Sequence, residues 1–478
     1  MFTRRCGLVF LVFAGAALLI SPLRPHAVAA AATPHTGANY PDSLALTPPL
    51  GWNSYDSFGG AVNESEFRDN AKYVADHLAR YGWKYVVVDY YWYFAESGVE
   101  HGSSNEDKIP TSMDEYGRLL PDPQRFPSAA GGKGFKPLAD YVHSLGLKFG
   151  IHIMRGIPRQ AVERNLPIYG AHGAHAQDVA DLKNTCPWSK AMDGVDVTSP
   201  AHGAAGQAYY DSLARLYAAW GVDFIKADDM SRGNKPPLED YHGPEIEALR
   251  KAMNKTGRPM VLSLSPGATP LDAAASVSEW SQMWRISDDM WDNWKEVDEQ
   301  FARARDWARY SGPNHWPDAD MLPLGLLRVT GFDEPQRQSR LTRDEQVTLM
   351  TLWSISRSPL MMGGDLRSLD PWTASLLENA EVLAVDHKSS GNHEVFERGS
   401  QVGWEADAPG GQAKYVALFN TGESPKEMSI SWAGLGLNGK YDVRDLWHKH
   451  DLGAFQGRFA NTVSAHGAAL YKMSPAAH

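Results

Sequence analysis

The chain has 478 residues and a formal net charge of −11 at pH 7. A single hydrophobic core seldom organises so many residues unless it is a barrel, so the length predicts a barrel with a second, smaller module. The acidic balance argues against nucleic acid as a partner, because phosphate binding requires a basic face. The 16 Trp, 19 Tyr and 16 Phe suit large cores as well as sugar stacking, so composition alone does not choose a function.

Residues 1–31 have the order of a secretory signal peptide. Arg4 and Arg5 come first, an apolar run over 7–20 follows, and small residues occupy 27–32. The apolar run is shorter than the roughly 20 residues that a bilayer span needs, which disfavours a membrane anchor. We therefore expect a protein that is secreted or periplasmic and has no membrane contact after the signal is cleaved.

Cleavage of this signal would leave a mature chain with one cysteine. It would remove Cys6 and leave Cys186, so no internal disulfide is expected. Residues 32–46 are polar and predict a linker. The predicted catalytic domain then spans 47–389.

Strand-like and helix-like segments alternate eight times in this domain, which is typical of a (β/α)8 barrel. The predicted strands are 49–55, 84–89, 147–154, 220–230, 258–265, 283–290, 315–322 and 358–362. The predicted helices are 63–81, 135–145, 204–220, 244–254, 294–310, 343–355 and 371–385. The Gly- and Pro-containing segment 155–197 predicts a loop over the barrel mouth. Short alternating segments over 390–478 predict a C-terminal antiparallel β-sandwich.

Two predicted strands end in charged side chains. Side chains alternate along a strand, so Lys226 and Asp228 lie on one face, above the apolar Val222 and Phe224. Arg285 and Asp289 share a face of the second strand by the same argument. In a TIM barrel the active site lies at the carboxyl ends of the strands, where these charges are.

Five strings of residues together resemble glycoside hydrolase family 27, the α-galactosidase and α-N-acetylgalactosaminidase family. They are Leu50-Gly51-Trp52-Asn53-Ser54, 220–228, 284–289, Gly312-Pro313 with 316–321, and Ser358-Pro359-Leu360-Met361. The resemblance runs from about Thr47 to the C-terminus. It implies a (β/α)8 barrel followed by a β-sandwich, and hydrolysis of α-glycosides with retention at the anomeric carbon. It implies no metal and no cofactor.

By position, the resemblance makes Asp228 the nucleophile and Asp289 the acid/base. Retention requires two carboxyl groups roughly 5–5.5 Å apart, of which one forms the glycosyl-enzyme and the other protonates the leaving oxygen. Lys226 is expected to keep Asp228 ionised, because a nearby positive charge favours the charged form. Asp289 must first hold a proton, and we expect burial or its ionised partner to favour this.

The resemblance also implies substrate-binding residues. Asp89 corresponds to an acid that binds sugar hydroxyls, and Arg285 to a residue that lies near the 2-position of the sugar. Tyr90 replaces the second of two consecutive aspartates, where the axial 4-hydroxyl is recognised. Ser265 lies where many α-galactosidases have a Glu-Trp pair, and the smaller side chain resembles the N-acetylgalactosaminidase branch. Tyr55 is expected to stack on a sugar face.

Other polar residues have simpler interpretations. His152 is interpreted as a core histidine with its hydrogen bonds satisfied, and Cys186 as a spare thiol. The remaining strand-end carboxylates are expected to cap helices, bind backbone N–H groups or hold the barrel rim; they are Asp229, Asp288, Asp318 and Asp320.

The expected function is that of a secreted retaining exo-glycosidase acting on terminal α-D-galactosides. The same mechanism would also serve α-N-acetylgalactosaminides, β-L-arabinopyranosides or α-glucans. Two other classes remain open: a lyase that uses Lys226 to form a Schiff base, and an inactive glycan-binding protein. The carbohydrate is the expected partner, and the sequence does not predict the oligomeric state.

Overall fold

A computed structural model of the chain describes residues 43–95, 106–231 and 241–476. The predicted signal peptide and most of the predicted linker lie outside the described residues. The described chain forms a barrel of eight parallel strands followed by an antiparallel β-sandwich, as the sequence predicts. The last helix of the barrel ends at Lys388, and the first sandwich strand begins at Ser390.

The barrel strands follow one another in space in the order in which they occur in the chain. They are β1 Leu50–Asn53, β2 Tyr85–Val88, β3 Lys148–Met154, β4 Phe224–Asp228, β5 Val261–Leu264, β6 Met283–Arg285, β7 Trp316–Asp318 and β8 Leu360–Met362. The eighth strand pairs with the first, at Leu50 opposite Leu360. Beyond β7, the N–H of Leu322 donates to the carbonyl of Met361 at 2.8 Å and links the remaining edge to β8.

Helices connect successive strands on the outside of the barrel. They are α1 Glu64–Tyr73, α2 Lys136–Ser144, α3 Gly203–Trp220, α4 Gly243–Lys255, α5 Ala274–Trp280, α6 Trp294–Trp307, α7 Arg343–Ser356, α8 Pro371–Leu377 and α9 Ala380–Lys388. The predicted start of α1 is confirmed: the side chain of Asn63 accepts from the N–H of Glu66, and Glu66 accepts from the N–H of Asn63.

Inward-facing side chains fill the lower part of the barrel with a separate apolar cluster that includes Val87, Phe224, Val261, Met283 and Trp316. Phe224 belongs to β4, so the side chains two and four positions further on lie above this cluster on the same face. Lys226 and Asp228 line the space above this cluster, as predicted. Val222, predicted on the same face, instead precedes the strand and packs into the core that includes the barrel helices. The packed interior supports the polar residues at the carboxyl end of the barrel.

Several segments differ from their predicted form. The helix α5 has no predicted counterpart, and β6 ends at Arg285 instead of residue 290. The segment 155–197, predicted as a loop, contains a small three-stranded sheet made by Ile157–Pro158, Ala180–Asp181 and Met192–Val195. The predicted helix 371–385 is two helices, because the side chain of Asn379 accepts from the N–H groups of Glu381 and Val382 and starts a new one.

The sandwich contains a six-stranded sheet and a two-stranded sheet. Its strands are β9 Ser390–Arg398, β10 Gln401–Asp407, β11 Lys414–Asn420, β12 Lys426–Ser431, β13 Lys440–Asp445, β14 His450–Gln456, β15 Arg458–Val463 and β16 Ala468–Pro475. The larger sheet has the order β9-β10-β11-β16-β13-β14, and β12 pairs with β15.

The strand β11 is buried on both faces. Its residues Ala417 and Phe419 join the core that includes the barrel helices, whereas Val416 and Leu418 join the core inside the sandwich. Phe419 packs edge-on against Phe301 of α6, with ring centroids 5.0 Å apart. The two domains therefore share an apolar interface. Among the helices of the described ranges, none combines the length and apolarity needed to cross a bilayer.

Candidate active site

The carboxyl ends of the barrel strands surround a pocket of about 420 Å³, open solvent at its mouth included. Apart from Ser265, every catalytic or binding residue predicted from the sequence lines it. The lining residues are Tyr55, Asp56, Asp89, Tyr90, Lys226, Asp228, Arg285, Asp289, Met290, Trp291, Asp320 and Met321.

Asp228 ends β4, and both of its carboxylate oxygens have partners. Nε2 of His152 lies 3.0 Å from Oδ2, and the N–H of Asp229 donates to Oδ1 at 3.1 Å. Burial raises the pKa of Asp228, but the hydrogen bond and charge of His152, followed by the charge of Lys226, outweigh burial and hold this pKa well below its usual range. The carboxylate is therefore ionised at neutral pH, and His152 contributes more to this than the expected Lys226.

The direct partner of Lys226 is Asp89, whose Oδ2 accepts from Nζ at 3.0 Å. Asp89 also accepts from Nδ2 of Asn53 at 2.6 Å and from the N–H of Tyr90 at 2.9 Å. Burial lowers the pKa of Lys226, but the charges of Asp89 and Asp228 raise it above its ordinary value. A protonated amine is not a nucleophile, which argues against the Schiff-base alternative.

Arg285 ends β6 and contacts two carboxylates. Its guanidinium nitrogens lie 3.3 Å from Oδ1 of Asp289 and 2.7 Å from Oδ2 of Asp320. The side chain of Arg285 is 3% exposed, whereas that of Asp289 is 55% exposed. Burial, one of the two influences expected to keep a proton on Asp289, is therefore absent, because β6 stops at Arg285 and the following loop carries Asp289 into contact with solvent.

Asp320 holds the rim of the barrel, as predicted, and also lines the pocket. Its two oxygens accept from the N–H groups of Met290 and Met321, each at 2.7 Å. Burial raises the pKa of Asp320 to about 7. The charge of Arg285 opposes this rise, and the charge of Asp289 adds to it. Asp318 has the other predicted rim contact, since its Oδ1 accepts from the N–H of Asp320 at 3.0 Å.

Tyr90 forms a wall of the pocket. The residue is 1% exposed, and its hydroxyl lies 3.3 Å from Oε1 of Glu106. Glu106 is fully buried and also accepts from the hydroxyl of Ser189 and the N–H of Lys190, each at 2.9 Å. A phenol held by a buried carboxylate supplies bulk to the wall and does not reproduce the carboxylate expected at this position.

Tyr55 and Ser265 differ in their relation to the pocket. The ring of Tyr55 lies 5.6 Å from Nζ of Lys226 and edge-on to Tyr90 at 6.4 Å, so it forms a second aromatic wall. Ser265 follows β5, is 1% exposed, and its N–H donates to the carbonyl of Ala227 at 2.9 Å. It is not among the residues that line the described pocket, and its contact with substrate stays a prediction.

Comparisons with known proteins agree with this geometry. The family model described as Alpha galactosidase A matches residues 47–181 and 192–388. The model described as Alpha galactosidase C-terminal beta sandwich domain matches residues 399–473. The chain belongs to glycoside hydrolase family 27.

Members of the family that resemble this chain have several named activities. An α-galactosidase of Coffea arabica is 30% identical, over 91% of this chain and 95% of its own. An α-N-acetylgalactosaminidase of Gallus gallus is 27% identical, over 91% of this chain and 95% of its own. The solved structure of a family 27 β-L-arabinopyranosidase from Geobacillus stearothermophilus is 47% identical, covers 91% of this chain and 98% of its own, and has a TM-score of 0.86. A variant of that enzyme has been solved in complex with arabinose.

The protein is thus a family 27 glycoside hydrolase of the α-galactosidase type. Its site also includes residues that were given no catalytic or binding role from the sequence. His152 was interpreted as a satisfied core histidine. This is wrong, because it contacts Asp228 and its Nδ1 is buried without a hydrogen-bond partner in the described part of the chain. The sequence shows only that Gly150 and His152 share a face of β3. The register, in which Gly150 lies opposite Phe224, shows that this face points inward.

Asp56 is a second residue that sequence reasoning missed. It lies in the short helix Tyr55–Phe58 at the end of β1, lines the pocket and is 5% exposed. Its Oδ2 packs against Gly363 and has no hydrogen-bond partner among the described residues. Burial, and next the charge of Asp320, raises the pKa of Asp56 well above its ordinary value. The pocket of this family 27 enzyme therefore contains a carboxyl group that holds its proton to higher pH than a free aspartic acid does.

A buried charge network lies behind the nucleophile candidate. Asp229 was expected to cap a helix or bind backbone, but its Oδ2 accepts from Nε of Arg155 at 2.9 Å. Arg155 also donates to Oε1 of Glu245 at 2.7 Å, and its N–H donates to the carbonyl of Asp228 at 3.0 Å. Cys186 is a buried free cysteine whose thiol also hydrogen bonds to Asp229. The network fixes the backbone at the end of β4.

Proposed function

We propose that this family 27 enzyme is a retaining exo-glycosidase in which Asp228 is the nucleophile and Asp289 the acid/base. One observation carries the proposal: an ionised carboxylate held by His152 and an exposed carboxyl beside Arg285 line the same small pocket. Two carboxyl groups in such different surroundings suit two different roles.

Asp228 attacks the anomeric carbon from one face of the sugar, and the bond to the leaving oxygen breaks as Asp289 gives that oxygen its proton. A covalent glycosyl-enzyme results. Asp289, now ionised, removes a proton from a water molecule as that water attacks the anomeric carbon, and the bond between this carbon and Asp228 breaks. The exposure of Asp289 gives water access to it for this second step.

The polar residues of the pocket fit a sugar with several hydroxyl groups. Asp89, Asp320 and Asp56 supply oxygen atoms, while Lys226 and Arg285 supply donors. The ring of α-D-galactopyranose has the same configuration as that of β-L-arabinopyranose, which lacks the hydroxymethyl group on carbon 5. One pocket therefore accepts either ring if it has room for that group.

Tyr90 favours the smaller sugar. It adds a buried ring to the wall that carries Asp89 and removes a carboxylate that could bind a further hydroxyl. The 47% identity to a β-L-arabinopyranosidase supports this preference. We therefore propose terminal β-L-arabinopyranosides as the preferred substrates.

Terminal α-D-galactosides, the substrates expected from the sequence, are the second candidate. Curated relatives with this activity match over 91% of the chain. A galactoside needs only enough movement of Tyr90 to admit one hydroxymethyl group.

Hydrolysis of p-nitrophenyl glycosides tests both substrates, with β-L-arabinopyranose, α-D-galactose, α-N-acetylgalactosamine and α-D-glucose as the sugars. We expect the highest kcat/KM on β-L-arabinopyranoside, retained configuration in the first-formed product, and no turnover by Asp228→Ala. Tyr90→Asp should raise the ratio of α-galactoside to β-L-arabinopyranoside activity, while the matched Tyr90→Phe should leave it near that of wild type. Inversion of configuration would contradict the mechanism, and equal ratios in both variants would contradict the role of Tyr90.

We also propose that residues 1–31 direct the enzyme out of the cytoplasm. The order of charged, apolar and small residues supports this. N-terminal sequencing of enzyme recovered outside the cytoplasm should begin near residue 32, and recovery of the uncleaved chain from the cytoplasm alone would contradict it.

A further inference from the structure

A fully buried carboxylate, Glu106, lies directly behind the pocket wall that Tyr90 forms. Its Oε1 accepts from the hydroxyl of Tyr91, from that of Ser189 at 2.9 Å and from that of Tyr90 at 3.3 Å. Its Oε2 accepts from the N–H of Lys190 at 2.9 Å. A carboxylate has about four lone-pair positions, so these donors use its hydrogen-bonding capacity in full.

The two tyrosines reach the same carboxylate because the chain turns between them. Adjacent side chains of an extended chain point to opposite faces, but the rings of Tyr90 and Tyr91 lie side by side, with centroids 3.6 Å apart. Tyr91 has a φ of 58°, in the left-handed region that favours glycine. Such a conformation persists only where its surroundings hold it. Here the buried Arg125 donates to the carbonyl of Tyr91 at 2.6 Å, and Glu106 accepts from its hydroxyl.

The other two donors belong to the segment 184–190, which passes behind the same wall. The ring of Trp188 in this segment lies 6.1 Å from that of Tyr90. At the start of the segment, the carbonyl of Asn184 accepts from Arg155 at 3.0 Å. Arg155 belongs to the buried charge network behind the nucleophile candidate, so the segment is fixed at both ends.

The Tyr90 ring is held mainly from behind. The hydrogen bond from its own hydroxyl is the longest of the four that Glu106 accepts, whereas the ring of Tyr91 covers one of its faces. Loss of the Tyr90 hydroxyl alone should therefore leave the ring in place. Loss of Glu106 should release Tyr91 and the segment 184–190 together, and with them the support of the ring.

We propose that Glu106 is a positioning residue for sugar specificity. By holding Tyr91 and Ser189, it keeps the Tyr90 ring in the pocket wall, where the ring limits the room for the hydroxymethyl group of a galactoside. Glu106 does not itself line the sugar pocket, so its effect on the substrate passes through Tyr90. This inference rests on the proposed function, in which Tyr90 favours the smaller sugar.

The test measures kcat/KM of Glu106→Ala and of the matched Glu106→Gln on p-nitrophenyl α-D-galactoside and β-L-arabinopyranoside. We expect Glu106→Ala to raise the ratio of galactoside to arabinopyranoside activity about three- to tenfold, because a released Tyr90 ring can move to admit one hydroxymethyl group. The change should appear mainly in KM, since Tyr90 contacts the sugar and not the bond that breaks. Glu106→Gln keeps an oxygen that accepts from hydroxyls, and its ratio should stay within about twofold of wild type.

Two further variants show whether the effect passes through Tyr90. In a Tyr90→Ala background no ring remains to be held, so addition of Glu106→Ala should change the ratio less than about twofold. Glu345→Ala is the matched control for loss of a buried carboxylate, because Glu345 caps α7 and pairs with His466 of the sandwich. It should lower stability and leave the ratio unchanged.

Equal losses of both activities at an unchanged ratio, or a change of ratio that persists in the Tyr90→Ala background, would overturn the role of Glu106. If Glu106→Ala does not fold, Tyr91→Phe decides, because it removes the hydroxyl that Glu106 holds and keeps the ring. It should raise the ratio, and a wild-type ratio would overturn the role. A wild type that prefers the galactoside would instead overturn the proposed substrate, and the comparison of Glu106→Ala with wild type would still test Glu106.

Discussion

Nε2 of His152 lies 3.0 Å from Oδ2 of Asp228 across two adjacent barrel strands, although the residues are 76 positions apart in the chain. The register pairs Met154 with Asp228 and His152 with Lys226. Both His152 and Lys226 therefore point into the barrel. Lys226 lines the sugar pocket, and the histidine acts on the charge of the nucleophile candidate.

Replacement of His152 by Phe should shift the pH dependence of the enzyme. The hydrogen bond and charge of His152 lower the pKa of Asp228, so their loss raises it. Asp228 must be ionised to attack, and the acid limb of the kcat/KM profile should therefore move to higher pH. His152→Gln, which keeps an N–H donor, should move it less. A uniform loss of rate at every pH would show that His152 only fills space.

Replacement of Asp289 by Asn should make the rate depend strongly on the leaving group. A glycoside with a poorly acidic alcohol needs the proton that Asp289 donates, and kcat/KM should fall about 10²- to 10⁴-fold. A dinitrophenyl glycoside needs no such proton, so the rate of its first step should fall much less. Equal losses on the two substrates would contradict the role of Asp289.

Replacement of Asp56 by Asn should stabilise the protein at neutral and alkaline pH. The pKa of Asp56 is raised in the folded state, whereas an unfolded Asp has a pKa of about 3.9. The unfolded state therefore loses its proton first as pH rises, and the wild type loses stability above about pH 4. The variant lacks this loss.

Urea unfolding at pH 4 and pH 8 measures this effect. The free energy of unfolding of Asp56→Asn relative to wild type should be higher at pH 8 than at pH 4. A difference that does not change between the two pH values would show that Asp56 is not a neutral acid in the folded protein.

Replacement of Arg155 by Met should be strongly destabilising. The side chains of Arg155, Asp229 and Glu245 are each at most 5% exposed, and removal of the arginine leaves two buried carboxylates without their shared partner. Loss of one member of such a buried network typically costs about 3–5 kcal/mol. Arg303→Met is the matched control, since Arg303 forms an exposed pair with Glu299 and its loss should cost less than about 0.5 kcal/mol.

The parts of the site that the sequence predicts are those that depend on position along a single strand. Alternation along β4 places Lys226 and Asp228 on the inner face, and both line the pocket as expected. The capping box at Asn63 and Glu66 is equally local. Such features need only the backbone geometry of one element.

The features that the sequence does not predict depend on contacts between distant segments. Tyr90 meets Glu106, and Asp229 meets Arg155 across 74 positions. The exposure of Asp289 depends on where β6 stops, which alternation alone does not fix. From the sequence alone, Asp56 is a residue in a short segment after β1. Its burial next to Asp320 and Lys226 depends on the fold.

The shared interface around β11 has a consequence for how this chain can be divided. Nε1 of Trp447 in the sandwich donates to Oγ1 of Thr351 in α7 at 2.8 Å, and Phe419 packs on Phe301. A truncated chain ending near residue 389 would expose this apolar surface to water and favour aggregation. We therefore expect a catalytic fragment made by deleting the C-terminal domain to be less stable than the full chain.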